Sequence, residues 1–257
     1  MEALAGALCG VFGLIAGSWF HVLVRRTPMH QSLRRPGFHC STCGVAAPGS
    51  FANAIVGYVR QRNCRVCSQP LWADTRWLPL LSAATCAAVG WRFGFAWALP
   101  AYLVFVCALL VITVVDLRLY LIPNRVVYPG LFICLGLLAG ASLALGDSQR
   151  FRFALLGMAG SWLFYFIVWF LYPKGMGFGD VRLSALIGLM TGWMGVEYSI
   201  EAVLLGLVLG AGSGLVLIIL RFRTRKDAVP FGPFMAAGAL LTLLWGEAIG
   251  QLWLGST

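Results

Sequence analysis

Long runs of apolar residues alternate with short polar segments along most of the chain. Eight of these runs approach the roughly 20 residues with which a helix crosses the hydrocarbon core of a bilayer. They cover residues 3–24, 77–94, 96–115, 125–145, 152–172, 181–197, 200–220 and 232–253. The pattern therefore predicts an all-α polytopic membrane protein with about eight transmembrane helices.

The composition agrees with a chain that lies mainly in lipid. Of its 257 residues, 60% are apolar and only 11% are charged, and the mean hydropathy is +0.85. A soluble domain carries about 25% charged residues, so this class is excluded. The formal net charge is +10. Positive-inside bias and attraction to anionic lipids account for it, so the lipid bilayer is the expected partner and nucleic acid is not.

The placement of the basic residues predicts the topology. Most of the 19 lysines and arginines fall in four loops, which the positive-inside rule assigns to the cytoplasm. These residues are Arg25, Arg26, Arg34, Arg35, Arg60, Arg62, Arg65, Arg76, Arg118, Arg125, Lys174, Arg182, Arg221, Arg223, Arg225 and Lys226. With eight spans, both termini then lie on the outer side.

The loops divide the chain into three predicted segments. Residues 1–24 form a retained first transmembrane helix, because the basic residues follow the apolar run and no small-residue cleavage site is evident. Residues 25–76 form a cytoplasmic loop with room for a small folded subdomain. Residues 77–257 contain the remaining seven helices.

Four cysteines in the first cytoplasmic loop form two Cys-x-x-Cys pairs. They are Cys40, Cys43, Cys64 and Cys67. Two such pairs at this spacing predict a structural zinc site with four thiolate ligands. A reducing compartment argues against disulfides, and metal binding would stabilise a loop this small. A redox pair or a partly metallated pair remains an alternative, and His30 or His39 could replace one thiolate.

Two aspartates lie where apolar runs meet polar loops. Asp116 ends the third predicted span and Asp180 begins the sixth, so both are placed at the cytoplasmic face. Ionisable residues at membrane depth are functional candidates, and paired carboxylates can perform acid–base chemistry on a peptide bond. Gly175, Gly177 and Gly179 precede Asp180; they permit unusual backbone angles and the close approach of another chain.

The alternative explanation for each aspartate is local. Asp180 could cap the helix that it begins, and either carboxylate could neutralise Arg118 or Arg182. The matching depth of the two aspartates and the glycine run favour a catalytic pair.

These motifs together resemble the type IV prepilin peptidases, also called leader peptidases, of the Gly-x-Gly-Asp class of intramembrane aspartic proteases. The most specific match is the stretch from Gly175 to Leu183, which is similar to the family signature Gly-Met-Gly-x-Gly-Asp-x-Lys-Leu. Further matches, in the family's order, are Gly17-Ser18-Trp19-Phe20-His21-Val22, the paired cysteines, Asp116-Leu117 with Ile122-Pro123-Asn124 and Pro129, and Val229-Pro230-Phe231-Gly232-Pro233-Phe234.

The resemblance implies an activity and a location. Such enzymes reside in the bacterial inner membrane and remove the short basic leader of prepilins or pseudopilins at its cytoplasmic face. Asp116 and Asp180 match the two catalytic aspartates, so residues 77–257 would be the peptidase core. Asn124 stands where the family has aspartate, and Arg182 where it has lysine; neither change removes a catalytic group.

Members with the cysteine module often also methylate the new N-terminus with S-adenosylmethionine, which would make residues 25–76 a methyltransferase part. This chain departs from the family there, with Arg62-Asn63 before Cys64 and Ala54 after Asn53. It has no glycine-rich loop that would place the cofactor. N-methylation therefore stays open, and the cofactor-binding residues stay unassigned.

Three readings compete with the bifunctional enzyme. The chain could be a peptidase without methyltransferase activity, a transporter that uses intramembrane carboxylates and broken helices, or an inactive zinc-bearing scaffold. The sequence does not distinguish pilus, secretion or competence substrates, and it leaves the oligomeric state unknown.

Overall fold

The computed structural model describes residues 1–26, 38–39, 46–47, 64, 66–68, 77–173, 175–221 and 230–254. This part of the chain contains eight helices and one pair of two-residue strands. The chain divides into two compact units, residues 1–95 and 96–257. The prediction of an all-helical fold is confirmed for the described residues, apart from the short strand pair.

The first unit contains two helices and the strands. Helix α1 spans Glu2–Arg26, and helix α2 spans Leu78–Phe93. Strands β1 (Phe38–His39) and β2 (Ala46–Ala47) pair antiparallel. The two helices pack closely, because a Cβ atom on Gly17 of α1 would lie only 2.6 Å from the Cα atom of Pro79. The first and second apolar runs are thus both helical, as predicted.

The second unit contains six helices. They are α3 (Leu99–Leu119), α4 (Asn124–Leu145), α5 (Ser148–Leu171), α6 (Phe178–Gly192), α7 (Val196–Ile219) and α8 (Gly232–Leu254). Local chemistry sets several of their ends. Tyr120 ends α3 in the left-handed conformation with φ +54°, and Pro123 precedes α4 in an extended conformation. Asp147 caps α5 by accepting hydrogen bonds from two backbone N–H groups.

Helix α6 is the centre of the second unit. It packs against each of the other five helices of that unit, and twelve of its 15 residues are buried. Its closest neighbour is α5. A Cβ atom on Gly192 would lie 2.7 Å from the Phe153 carbonyl oxygen, and one on Gly188 would lie 2.6 Å from Ser161 Oγ. Small residues therefore allow α5 and α6 to approach closely.

The structure supports six of the eight predicted membrane spans. Six helices of the described chain are long and apolar enough to cross a membrane. At about 1.5 Å per residue, the 16 residues of α2 and the 15 residues of α6 fall short of the roughly 30 Å hydrocarbon core. The apolar residues of α6 are buried against protein, which explains why its sequence resembled a membrane span.

Most of the predicted cytoplasmic subdomain lies outside the described residues. Within 25–76 the structure describes only 25–26, 38–39, 46–47, 64 and 66–68. Cys40, Cys43 and His30 are outside this set. The predicted subdomain boundary at 25–76 is therefore not tested.

Candidate active site

Asp116 lies in the last turn of α3 and is buried. Its side chain is only 4% exposed. The backbone N–H of Gly232, the first residue of α8, donates a hydrogen bond of 2.9 Å to Asp116 Oδ2. A charge-assisted hydrogen bond from a backbone amide both satisfies and orients a buried carboxylate. The chain segment before α8 therefore contributes to the site together with α3.

Asp180 is the third residue of α6 and is also buried, at 7% exposure. Its backbone N–H donates to the Gly177 carbonyl at 3.1 Å, and its carboxylate interacts with the N–H of Gly177 and with the charge of Asp116. Gly177 is the capping residue of α6, so Asp180, the third residue of the helix, is not the cap that was considered from the sequence. The structure brings its carboxylate within range of the charge of Asp116 of α3.

The two aspartate segments also contact each other at Gly179. A Cβ atom on Gly179 would lie 2.9 Å from Ile122 Cβ, in the connection between α3 and α4. Any side chain at 179 would thus push this connection away from α6. Neither Gly175, Gly177 nor Gly179 has a positive φ. The close approach expected of this glycine run occurs at Gly179, whereas the unusual backbone angles do not occur.

A hydrogen bond also joins the two segments at their rim. Arg182 Nη1 donates to Asn124 Oδ1, and the Arg182 guanidinium lies over the Phe178 ring, 4.7 Å from its centroid. Asn124 and Arg182, two of the positions at which the chain departs from the family pattern, are thus partners of each other. An uncharged amide accepts the hydrogen bond from arginine where the family motif has an aspartate and a lysine.

The Asp116 carboxylate leaves no room for a side chain at position 232, so this residue must be glycine. A Cβ atom at this position would lie 2.7 Å from Asp116 Oδ2. Gly232 is buried at the start of α8. The sequence had marked this Pro-Phe-Gly-Pro stretch only as part of the family pattern, because a backbone amide leaves no chemical signature in a sequence.

Tyr165 of α5 is a second residue of the site that sequence reasoning missed. Its side chain is 1% exposed, and it lies within range of the charge of Asp180. Its ring lies 6.1 Å from the ring of Phe231, measured between centroids. No spacing or motif distinguishes this tyrosine from the other tyrosines of the chain.

Two of the four predicted zinc ligands are described. Cys64 is buried, and Cys67 is partly exposed. Both lie on one turn, which is closed by a 2.9 Å hydrogen bond from the Ser68 N–H to the Cys64 carbonyl. This turn fits one half of a site with four thiolates, while Cys40 and Cys43 lie outside the described residues.

The arrangement of the aspartates suits acid–base chemistry on a neutral substrate. Two buried carboxylates lie within range of each other's charge, and Asp116 also accepts a hydrogen bond from the Gly232 N–H group. Such a pair titrates as a unit and can hold one proton between its members. One group can then accept a proton while the other donates one, which is the requirement for hydrolysing a peptide bond with water.

Two family models match the chain. The Type IV leader peptidase family matches residues 103–219, which include both aspartates. The Bacterial Peptidase A24 N-terminal domain matches residues 11–93, which include the four cysteines. No solved structure matches the chain.

Proteins named prepilin leader peptidase/N-methyltransferase match the chain over nearly its whole length. The protein of Bacillus subtilis is 30% identical, with 93% of this chain and 94% of that protein covered. The protein of Aeromonas hydrophila is 33% identical, with 96% and 93% covered. That of Pseudomonas aeruginosa is 28% identical, with 98% and 94% covered.

Replacing Gly232 with alanine tests the contact between α8 and Asp116. We expect Gly232→Ala to lower the free energy of unfolding by about 1–3 kcal/mol, the usual cost of overpacking a buried site. Gly212→Ala in α7 is the control, because no atom lies within 4 Å of a Cβ atom there. Melting temperatures of the purified proteins report the difference. Equal melting temperatures for the two variants would contradict the proposed close contact.

Proposed function

The chain belongs to the type IV leader peptidase family, and we propose that it removes the leader from prepilins or pseudopilins with Asp116 and Asp180 as its catalytic pair. The observation that carries this proposal is the meeting of two buried carboxylates from separate helices. Burying two aspartates costs free energy of folding, so we expect the pair to have a function. Membership of a peptidase family indicates what that function is.

The proposed mechanism uses one carboxylate in each protonation state. The ionised carboxylate takes a proton from a water molecule, whose oxygen attacks the carbonyl carbon of the scissile peptide bond. The protonated carboxyl donates its proton to the carbonyl oxygen. When the tetrahedral intermediate collapses, the C–N bond breaks and a proton passes to the leaving amine. The free N-terminus of the mature pilin and the carboxyl end of the leader are the products.

The positions of the aspartates support cleavage at the cytoplasmic membrane face. Asp116 lies at the end of α3 and Asp180 at the beginning of α6, so both are at helix ends instead of mid-membrane. Arg118, Arg125 and Arg182 lie within ten residues of one aspartate or the other, on the side that the positive-inside rule assigns to the cytoplasm. A leader that precedes a membrane-inserted pilin helix would be presented at this level.

Family membership favours the peptidase over the transporter and the inactive scaffold. A transporter would also place carboxylates within a helical bundle, but the relatives that cover this chain almost completely bear the name of a peptidase. Both aspartates are also present in the region that the peptidase family model matches.

Substituting each aspartate separately tests the catalytic pair. We expect Asp116→Asn and Asp180→Asn each to lower the rate of prepilin cleavage at least about a hundredfold, because neither partner alone completes the proton transfers. Asp147→Asn is the matched control, since Asp147 caps α5 away from the pair and asparagine caps as well. Mass spectrometry of a co-expressed prepilin reports cleavage. Full processing by either dyad variant would disprove the assignment.

The cysteine module is proposed to bind a structural zinc ion through Cys40, Cys43, Cys64 and Cys67. Metal analysis of the purified protein should find stoichiometric zinc, because four thiolates form a closed tetrahedral site. Cys64→Ala should lose the metal and destabilise the module, whereas Cys107→Ala, a change within α3, should retain it. A folded and active protein without zinc would refute this proposal.

We further propose that the chain methylates the N-terminus that it exposes. The names of the relatives and the match of the N-terminal domain support this activity, with S-adenosylmethionine as the methyl donor. The mass of the mature pilin from the co-expression experiment should therefore include one methyl group. Purified enzyme should also transfer label from S-adenosylmethionine to cleaved pilin. Cleaved pilin of unmodified mass would leave a peptidase only.

A further inference from the structure

The side chain of Arg182, near the beginning of α6, contacts the beginning of α4 in two ways. Its Nη1 atom donates a hydrogen bond to Asn124 Oδ1, and its guanidinium carbon lies 6.0 Å from the centroid of the Tyr128 ring, one turn further along α4. A guanidinium suits both contacts, because its edge carries several donors and its face is attracted to aromatic rings. Arg182 therefore links α6 to α4.

Aromatic contacts extend this link to α5. The guanidinium carbon of Arg182 lies 4.7 Å from the ring centroid of Phe178, the first residue of α6. The Phe178 ring in turn meets the Trp169 ring of α5 edge to face, with 4.9 Å between the centroids. Arg182 Nε is buried without a hydrogen-bond acceptor among the described residues, so the aromatic faces are the groups that stabilise this side of the cation.

This link joins the two segments that carry the aspartates. Asp180 lies two residues before Arg182, and Asp116 lies eight residues before Asn124. The connection between α3 and α4 also packs against the first turn of α6 at Ile122. The contact at Ile122 and the hydrogen bond at Asn124 together oppose any movement of one aspartate segment relative to the other.

We propose that Arg182 is a positioning residue of the peptidase, which holds the first turn of α6 against the start of α4 and so fixes Asp180 relative to Asp116. This inference rests on the proposed function of the aspartate pair. Among the described residues Arg182 forms an ion pair with neither aspartate, so it acts on the geometry of the pair. A displacement of about 1 Å can cost a catalytic site about a hundredfold in rate.

Removing the hydrogen-bond acceptor tests the proposal with little risk to folding. Asn124 is exposed and is the first residue of α4, and alanine has the higher helix propensity. We expect Asn124→Ala to lower kcat about tenfold through misplacement of the aspartates. KM should change less than about threefold, because the lost contact does not bind the leader. Cleavage of a prepilin by purified enzyme over a range of substrate concentrations gives both constants.

A double-mutant cycle tests whether Arg182 acts through Asn124. Arg182→Lys keeps the charge but loses the planar guanidinium, and we expect it also to lower kcat about tenfold. Because the two residues are in contact, Asn124→Ala combined with Arg182→Lys should be at most about threefold slower than either single variant. Losses that multiply would show independent roles and overturn the proposal. If Arg182→Lys does not fold, the kcat of Asn124→Ala decides.

A compensating substitution should restore the link. Lysine forms its strongest hydrogen bonds with a carboxylate, so Asn124→Asp added to Arg182→Lys should rebuild the contact as an ion pair. We expect kcat of this double variant to return to within about threefold of the unmodified enzyme, since contacting residues are energetically coupled. A residue with no positioning role would show no such recovery. A double variant as slow as Arg182→Lys would therefore contradict the proposal.

Arg92→Lys is the matched control. Arg92 of α2 also lies beside an aromatic ring, with its guanidinium carbon 5.5 Å from the centroid of Phe93. Both lysine variants remove a guanidinium from a ring, but only Arg182→Lys should lose kcat. Equal losses in the two variants would overturn the proposal, as would an unchanged kcat for Asn124→Ala. Failure of the unmodified protein to cleave prepilin would instead refute the proposed function.

Discussion

Two carboxylates buried within range of each other's charge determine the organisation of the second unit. Taking one such group out of water is costly, and taking two to the same place adds their mutual repulsion. The surrounding groups reduce this cost without introducing a second ion. The N–H groups of Gly232 and Gly177 interact with the two carboxylates. Backbone N–H groups with fixed orientations thus replace the water molecules that would otherwise solvate the two carboxylates.

The central position of α6 makes this arrangement stable. Because α6 packs against five helices, its first turn cannot move without disturbing the whole unit, and Asp180 is fixed with it. Asp116 is tied to the same point through the contact of Ile122 with Gly179 and through the hydrogen bond between Asn124 and Arg182. Preorganised geometry of this kind is the main source of electrostatic catalysis.

Hydrophobicity and charge along the sequence were sufficient to predict the helices and the two candidate aspartates. The apolar runs located the helices, and a carboxylate next to an apolar run is conspicuous, so Asp116 and Asp180 could be chosen as candidates. Apolar residues do not reveal whether they face lipid or protein, so the sequence alone does not show that the predicted sixth span is a short helix packed against five others. The contribution of Gly232 comes from its backbone, and that of Tyr165 from helix packing. Neither contribution can be recognised from the amino-acid sequence alone.

The hydrogen bond that α8 provides to Asp116 has a consequence for the divergence of related chains. Its donor is a main-chain amide, which every residue except proline supplies. Substitutions elsewhere in α8 can accumulate without removing it, provided that the position itself stays free of a side chain. Relatives that share only about a third of their residues with this chain can therefore keep the same support for a buried carboxylate, because a substitution changes the side chain and leaves the main-chain amide in place.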